Sequence, residues 1–577
     1  MAQHDNKTVA EILARVADLM EIRGDNAFRV RAFRRASQAI ENLAEPVSSM
    51  LEAKTLSDIP GIGAGAVARA SQIVESGTCD DLVQLEKDLP KGLFEMLRIG
   101  GLGPKKVKLF YDELGIADLD ALETAARAGH LAALPRMGAK SQAKILDEIE
   151  AFRRRSGRIP LGVALPQGHA IVEVLRALPG TERVDLAGSC RRGRETIGDL
   201  DVLVAADESQ EAMDCFVNLP AVAEVMLRGD TKCSVRLDSG LQVDLRVLEP
   251  ASFGAALHYF TGSKHHNIAV RDRAKRKGLR ISEYGVFCES TNERLGGASE
   301  EEIFAAVGLP FIPPELRENR GEIEAAEAQK LPRLLEAGDL RGDMHLHTTD
   351  SDGKADAVTM VRHAKSLGFD YVAITDHSFG LPVTQGLDAA GLVAQRERLR
   401  RIQEEVGGIE VLAGVEAEIL ADGSLDLPVD VLREQDWVIA SVHSGFSMGS
   451  EEMTARVIAA LDSGVVDCLG HPTGRLLGER DAYAIDLEAV LQAASRAHVA
   501  MELNAAPSRL DLNANTCRRA REVGVPVVIS SDAHALEQLG ALELGVTTAR
   551  RGWLESKHVL NSWSYEQIQA WRAQRLP

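Results

Sequence analysis

Asp199 and Asp201 stand two residues apart in the segment GSCRRGRETIGDLDVLV (188–204). On a β-strand, side chains alternate with period two, so this spacing puts both carboxylates on one face. Carboxylates held side by side repel unless they share cations, which points to a divalent metal site. A third, Asp244, lies in LQVDLRVLEP, whose strict alternation places it on one face of a neighbouring strand. A lone DxD usually marks no more than a solvated strand end. Here Gly188, Ser189, Arg191 and Arg192 precede it by a short loop and offer hydroxyl, backbone N–H and guanidinium donors to phosphates. Three carboxylates beside phosphate donors suit two-metal nucleotidyl transfer with Mg2+ or Mn2+.

A second set of ligand types recurs further on. After residue 341, seven apolar segments read as strands: GDMHLH, YVAIT, EVLAG, WVIAS, VDCLG, VAMEL and VPVVIS. Potential metal ligands follow nearly every one. They are His345 and His347, then Asp352; His377; Glu416; His443; His471; and Asp532 with His534, while Asn504 holds the equivalent place after the sixth strand. A parallel barrel gathers strand ends onto one face, where barrel enzymes place their chemistry. A single histidine at a strand end is commonly a surface or hydrogen-bonding residue. Six of the eight histidines between 345 and 534 sit at strand ends, which that explanation does not cover. His363 and His498 fall in helix-like stretches and are assigned no function. Mixed imidazole and carboxylate ligation admits Mn2+, Zn2+ or Fe.

The elements that position these residues differ along the chain. Residues 1–150 have helical periodicity, 184–310 shift to short alternating strands, and 341 onward alternates strand with helix as parallel α/β domains do. The Pro- and Glu-rich stretch from about 310 to 340 reads as a linker. Within the helical region, IPGIGAGAVARA (59–70), IGGLGPKKVKLF (99–110) and LPRMGAKSQAKI (134–145) repeat one pattern of apolar lead-in, tight glycine turn and helix start. Such a turn exposes backbone N–H groups to an anion and suits a phosphate backbone. Gly61 and Gly63, then Gly101 and Gly103, supply two full copies, and Arg136 replaces the first glycine of the third. Lys105, Lys106 and Lys140 add charge at the helix starts.

The 577 residues exceed one domain and carry a net charge of −20. That charge would argue against a nucleic-acid partner were it evenly spread. Residues 1–158 are about neutral, 159–316 about −6 and 317–577 about −14, with basic runs such as PKKVK and RDRAKRKGLR in the first half. No apolar run reaches the roughly 20 residues needed to cross a bilayer, and the N-terminus has no apolar signal segment. Seven scattered cysteines lack disulfide-like spacing. A monomer in a reducing cytoplasm, off the membrane, is the expectation.

Residues from about 20 to 316 resemble a family X DNA polymerase, of the DNA polymerase beta type, on GS-x-RR-G followed by GD-x-DV and on HYFTGSKHHNIAVR (258–271). The glycine-turn repeat resembles the helix-hairpin-helix, which grips DNA without reading sequence. The resemblance implies that Asp199, Asp201 and Asp244 bind catalytic metals, and that Ser189, Arg192 and Gly198 hold the incoming triphosphate. It also implies that Tyr259, Phe260 and Gly262 line the sugar pocket, Asn267 reaches the base edge, Arg271 faces the template, and Arg246 supports the third aspartate. Two departures stand out. Arg69 occupies the position of the family's lyase lysine, and Gly65 that of another lysine. An arginine supplies no neutral amine, so lyase activity would need Lys54 or another lysine. Lys264 replaces an acidic residue beside the base pocket, where a cation either strengthens nucleotide binding or simply faces solvent.

The second half resembles the PHP (polymerase and histidinol phosphatase) domain on HLHTTDSDG, TDHS, GVEAE, SVHSG, GHP and SSDAHA. That family's fold is a distorted seven-stranded β/α barrel, TIM-like, with a trinuclear metal site. The match implies nine ligands: His345, His347, Asp352, His377, Glu416, His443, His471, Asp532 and His534. The expected chain is thus multidomain, α and α/β: a lyase-like helical domain (1–90), a fingers-like subdomain (91–155), a nucleotidyltransferase palm (156–250), a thumb (251–316), a linker (317–340) and the PHP domain (341–577). Its expected work is to fill short gaps in primer–template DNA with dNTPs and to trim 3′ ends. Alternatives are a barrel acting on small phosphate esters, or a DNA-end binding module.

Overall fold

The computed structural model describes residues 6–41, 47–59, 61–97, 99, 102–135, 137–156, 158–380, 384, 386–478 and 480–574. It forms two compact units, Met1–Gly157 and Arg158–Pro577. Among the described residues no helix is long and apolar enough to cross a membrane.

The first unit is helical. Its amphipathic helices share one apolar core, from Leu13 and Met20 through Ile73 and Leu93 to Phe110 and Ile149. That core runs across the 90/91 boundary expected from sequence. Helices stop where glycine accepts a left-handed conformation, at Gly77 (φ 76°) and Gly115 (φ 65°). Asp118 starts the Leu119–Arg127 helix by accepting a 2.8 Å hydrogen bond from the Ala121 N–H.

The second unit begins with a five-stranded sheet in the order Thr181–Leu186, Asp199–Ala206, Gln242–Leu248, Lys232–Leu237, Val222–Arg228. Four of these strands were legible in sequence; Lys232–Leu237 was not. In Gln242–Leu248 the apolar Val243, Leu245 and Val247 are buried against the Leu161–Arg176 and Gln210–Val217 helices, and Asp244 and Arg246 turn to the other face. Each such apolar burial stabilises by about 1.5–3 kcal/mol, so a register slip that exposed all three is strongly disfavoured. Next come the helices Phe253–Thr261, Lys264–Arg276 and Glu300–Ala306, with a three-stranded antiparallel sheet.

The stretch from 310 to 340, expected as a linker, is folded. It carries the helix Glu322–Glu327, and Arg317 and Glu322 are fully buried. Two of its charges are buried against partners: Glu322 meets His266 at 2.7 Å, and Arg317 pairs with Glu300 and stacks over Phe304. Composition gave the wrong impression because Glu-rich chain is usually solvated.

The last region is a seven-stranded, all-parallel sheet in sequence order from Gly342–Leu346 to Val527–Ser530. A parallel bridge between Leu346 and Ala533 brings the first and last strands together, so the sheet nearly closes into a barrel. Strands buried on both faces explain the continuous apolar runs seen in sequence.

Candidate functional site

In the five-stranded sheet, Asp199–Ala206 and Gln242–Leu248 are parallel neighbours, and Asp201 pairs directly with Asp244. Asp199, two residues earlier, shares their face. Burial, reinforced by Asp199 and Asp244, raises the Asp201 carboxyl to about 7. Lys232 lies 3.4 Å from Asp244 and offsets part of the charge. A carboxylate triad that holds a proton near neutrality is a fitting cradle for divalent cations, which relieve the same repulsion. Gly188 (φ 64°) lies so close that a Cβ there would come 2.2 Å from Asp201 Oδ2, so only glycine fits.

Ser189 sits in the short helix Gly188–Arg191 that follows, while Gly198 and Asp199 are exposed. Arg191 donates to Glu300 at 2.7 Å and to Thr261 Oγ1 at 2.9 Å, tying this loop to the next helical layer. Arg192 Nη1 donates to the Thr261 carbonyl at 2.9 Å. The Arg246 guanidinium lies over the Phe260 ring, which meets Tyr259 edge-on. Asn267 Nδ2 donates to the Tyr259 carbonyl at 2.6 Å, and its Oδ1 is buried without a partner against Gly262, where a Cβ would clash. Lys264 and Arg271 are exposed on the Lys264–Arg276 helix.

The barrel gathers all nine expected ligand residues at one mouth. His345, His347 and Asp532 form one set of converging donor atoms; His347, Asp352, His377 and His534 a second; His377, Glu416 and His443 a third. His471 joins through Nε2, 3.0 Å from Glu416 Oε1. Glu416 is central: its Oε2 lies 2.9 Å from His377 Nδ1 and 3.3 Å from His345 Nε2. Both ring nitrogens of His347, Nε2 of His345, Nδ1 of His471 and Oε2 of Glu416 are buried with no hydrogen-bond partner. Buried ligand atoms left without partners are costly, and cations held among the converging side chains would satisfy those that face them, so the residues fit a multinuclear metal centre.

Electrostatics agree. Burial opposes charge on Glu416 and Asp532, yet the surrounding imidazoles hold both well below the usual carboxylate range. Burial likewise opposes protonation of His443, but Glu416 and Glu418 outweigh it and raise the ring to about 10. Burial and the His377 charge push His347 down to about 3. Asp532 holds φ 53°, a strained conformation for a residue with a side chain. Sequence reasoning missed the carboxylates behind the rings: Glu502 meets His345 Nδ1 at 2.6 Å and Glu418 meets His443 Nδ1 at 2.7 Å, fixing which nitrogen faces inward. A glutamate inside an apolar strand, as in GVEAE and AMELN, was the available signal. Asn504 donates to Asp532 Oδ2 at 3.0 Å.

In the helical unit, Gly63 and Gly103 begin the helices Ala64–Ser76 and Pro104–Leu114 without a capping side chain, and Gly61 takes φ 100°. Lys105, Lys106 and Lys140 are exposed. Gly101 and Arg136 lie outside the described residues. Arg69 is paired with Asp81 at 2.5 Å, and Lys54 occupies an exposed turn at φ 59°.

Comparisons with known proteins follow the same division. Models for a helix-hairpin-helix domain match residues 4–79, a SAM-like helix-hairpin-helix tandem 94–151, the DNA polymerase beta thumb 256–318 and the PHP domain 343–506. DNA polymerase lambda of Rattus norvegicus is 28% identical over 55% of the chain and 57% of its own length. A probable phosphatase of Thermoanaerobacter sp. (strain X514) is 31% identical over 38% of the chain and 89% of its own length. The DNA polymerase/3′-5′ exonuclease PolX of Bacillus subtilis (strain 168) is 40% identical over 98% of each chain. With that relative matched over nearly its whole length and the hairpin, thumb and PHP models matched along one polypeptide, the chain belongs to the PolX family of DNA polymerase/3′-5′ exonucleases.

Proposed function

We propose that this chain is a DNA repair polymerase that fills short gaps with dNTPs and also removes nucleotides from 3′ ends. The observation that supports this reading is the presence, on one polypeptide, of paired strands that set Asp201 opposite Asp244 with Asp199 on the same face, and of a separate barrel mouth whose His, Asp and Glu side chains converge closely enough to hold metal. Asp199, Asp201 and Asp244 hold Mg2+ or Mn2+ for synthesis, and the nine barrel residues hold Mn2+, Zn2+ or Fe for degradation. Bound divalent cations supply Lewis-acid stabilisation of charge on the reacting phosphate oxygens. Ser189, Arg192 and Gly198 bind the triphosphate; Tyr259, Phe260 and Gly262 shape the sugar pocket; Asn267 and Lys264 lie beside the base, and Arg271 beside the template. We assign the lyase-like region to 1–90, fingers to 91–155, palm to 156–250, thumb to 251–316 and the metal barrel to 341–577, in a cytoplasmic monomer. The test is one end-labelled, gapped primer–template incubated with and without dNTPs in Mg2+ or in Mn2+. Extension needs dNTPs, and shortening proceeds without them and favours Mn2+. A barrel that cleaves only small phosphomonoesters would give no shortening.

Gly61, Gly63, Gly101, Gly103, Lys105, Lys106 and Lys140 grip the DNA backbone, so binding depends on salt and barely on sequence. Replacing Lys105 and Lys106 by alanine flattens the slope of log K against log salt by up to about two units. An unchanged slope would show that these lysines do not face DNA.

Arg69, paired with Asp81, offers no neutral amine for a Schiff base. Weak or absent β-elimination at a 5′-deoxyribose phosphate is expected. Borohydride trapping of an abundant DNA adduct would contradict this, and its loss in Lys54→Ala would identify the substitute.

A further inference from the structure

Four charged side chains meet where the polymerase loop touches the barrel. Arg192 Nε lies 3.0 Å from Glu318 Oε1, and the same oxygen accepts a 2.9 Å hydrogen bond from Arg551 Nη2. Arg551, on the barrel helix Leu542–Arg551, also donates through Nη1 to the Arg192 backbone carbonyl. Arg194 approaches Glu318 Oε1 at 3.8 Å. The Glu318, Arg551 and Arg192 side chains are only 9%, 7% and 11% exposed, so these contacts act with little screening by water.

The backbone is fixed as well. Gly193 takes φ 64° and packs so closely on the barrel that a Cβ would come 2.1 Å from Thr547 Cγ2. Two residues on, the Glu195 carboxylate meets Arg475 of the barrel at 2.7 Å. Residues 192–195, between the phosphate-donor motif and the aspartates, are therefore seated on the barrel along their length.

We propose that Arg551, with Glu318, is a positioning residue for nucleotide binding at the polymerase centre, although it belongs to the metal barrel. The inference rests on the reading that Arg192 binds the triphosphate. Of the three guanidinium nitrogens of Arg192, Nε is held by Glu318 and Nη1 by the Thr261 carbonyl; among the described residues Nη2 has no protein partner. A guanidinium clamped at two corners presents the third in a fixed direction, which spares the entropy of ordering it when an anion arrives. Arg551 does two things. By sharing Glu318 Oε1 it limits the carboxylate's hold on Arg192, and by bonding the Arg192 carbonyl it fixes the backbone beneath that side chain. Without it, Glu318 competes with the triphosphate for Arg192 and the loop loses an anchor. Both consequences weaken nucleotide binding more than the chemical step.

Single-nucleotide insertion on a gapped template, measured against dNTP concentration with the full chain, tests this. Arg551→Ala raises the dNTP KM about tenfold with kcat changed less than about threefold, while DNA affinity and Mn2+-dependent degradation stay at wild-type levels. Arg551→Lys, which restores the charge beside Glu318 but one bond fewer, recovers part of the KM. Arg192→Ala serves as the reference and raises KM at least as far. An unchanged KM in Arg551→Ala alongside a raised KM in Arg192→Ala overturns the positioning role while sparing the assignment of Arg192. An unchanged KM in Arg192→Ala overturns that assignment itself. Parallel loss of extension and degradation in both Arg551 variants would mean a general structural role and would also overturn the proposal.

Discussion

Asp244→Ala loses primer extension by about 1000-fold or more, while binding to gapped DNA stays within a few-fold and degradation in Mn2+ is unchanged. Asp244 faces Asp201 across two parallel strands, and its removal takes a ligand from the centre without touching the hairpin repeats. The loss is not one of folding. Asp201 titrates near 7 in the folded protein, above the roughly 3.9 of an unfolded aspartate, so folding takes up a proton. The stabilisation linked to that proton is present below about pH 4 and is lost as pH rises through about 7. Without Asp244, one source of the upward shift disappears and the window narrows. Metal-free Asp244→Ala should therefore melt no earlier than wild type at pH 8, by circular dichroism. Asp199→Ala behaves alike in extension. Full extension by either variant in a clean preparation would refute the assignment of the three carboxylates.

The mirror experiment has a comparable effect. Asp532→Ala and His345→Ala lose 3′-end degradation by about 1000-fold or more and keep extension. Asp532 Oδ1 lies 3.1 Å from His347 Nε2 and 3.6 Å from His345 Nε2, so it belongs to the converging set from the two barrel strands. His345 is fully buried and oriented by Glu502, and alanine there removes a ligand that no neighbour replaces. The nitrogen-rich donor set favours Mn2+ or Zn2+ over Mg2+, in contrast to the all-carboxylate centre, so the two activities respond differently to the metal supplied. Protons compete with cations for these nitrogens, so more metal is needed as pH falls. The measurement is a degradation time course on labelled single-stranded 3′ ends in Mn2+, with Asp199→Ala as the reciprocal control. Wild-type degradation by His345→Ala would remove the barrel from the reaction and leave phosphomonoester hydrolysis as the better reading of it.

What could be read from sequence was set by the range of the interaction. Asp199 and Asp201 are two residues apart on one strand, and the barrel ligands follow a local rule repeated after six of the seven strands. Both required only strand periodicity and the geometry of a parallel sheet. Lys232–Leu237 escaped because a lysine and an arginine broke up its short apolar alternation. Glu418 and Glu502 escaped because a carboxylate in an apolar strand acquires meaning only once its histidine partner is placed opposite it. The linker was misjudged for a related reason. Glu318 and Glu322 look solvated until Arg551, 233 residues away from Glu318, and His266, 56 residues from Glu322, arrive beside them. Charge composition reports the number of ions in a stretch, and only tertiary structure reports whether they are neutralised.

The near-closure of the barrel between Leu346 and Ala533 gives the metal centre a mechanical part to play. His345 and His347 lie on one side of this seam and Asp532 and His534 on the other. Besides the Leu346–Ala533 bridge, the Asp343 carboxylate accepts from the Ser531 N–H and the Asn561 amide donates to both Gly342 and Ile529 carbonyls, so backbone and side chains together tie the two strands across this seam. Cations held by ligands from both sides would add a clasp to these ties, so that the shape of the barrel and the assembly of its ligand set would depend on the same bound ions.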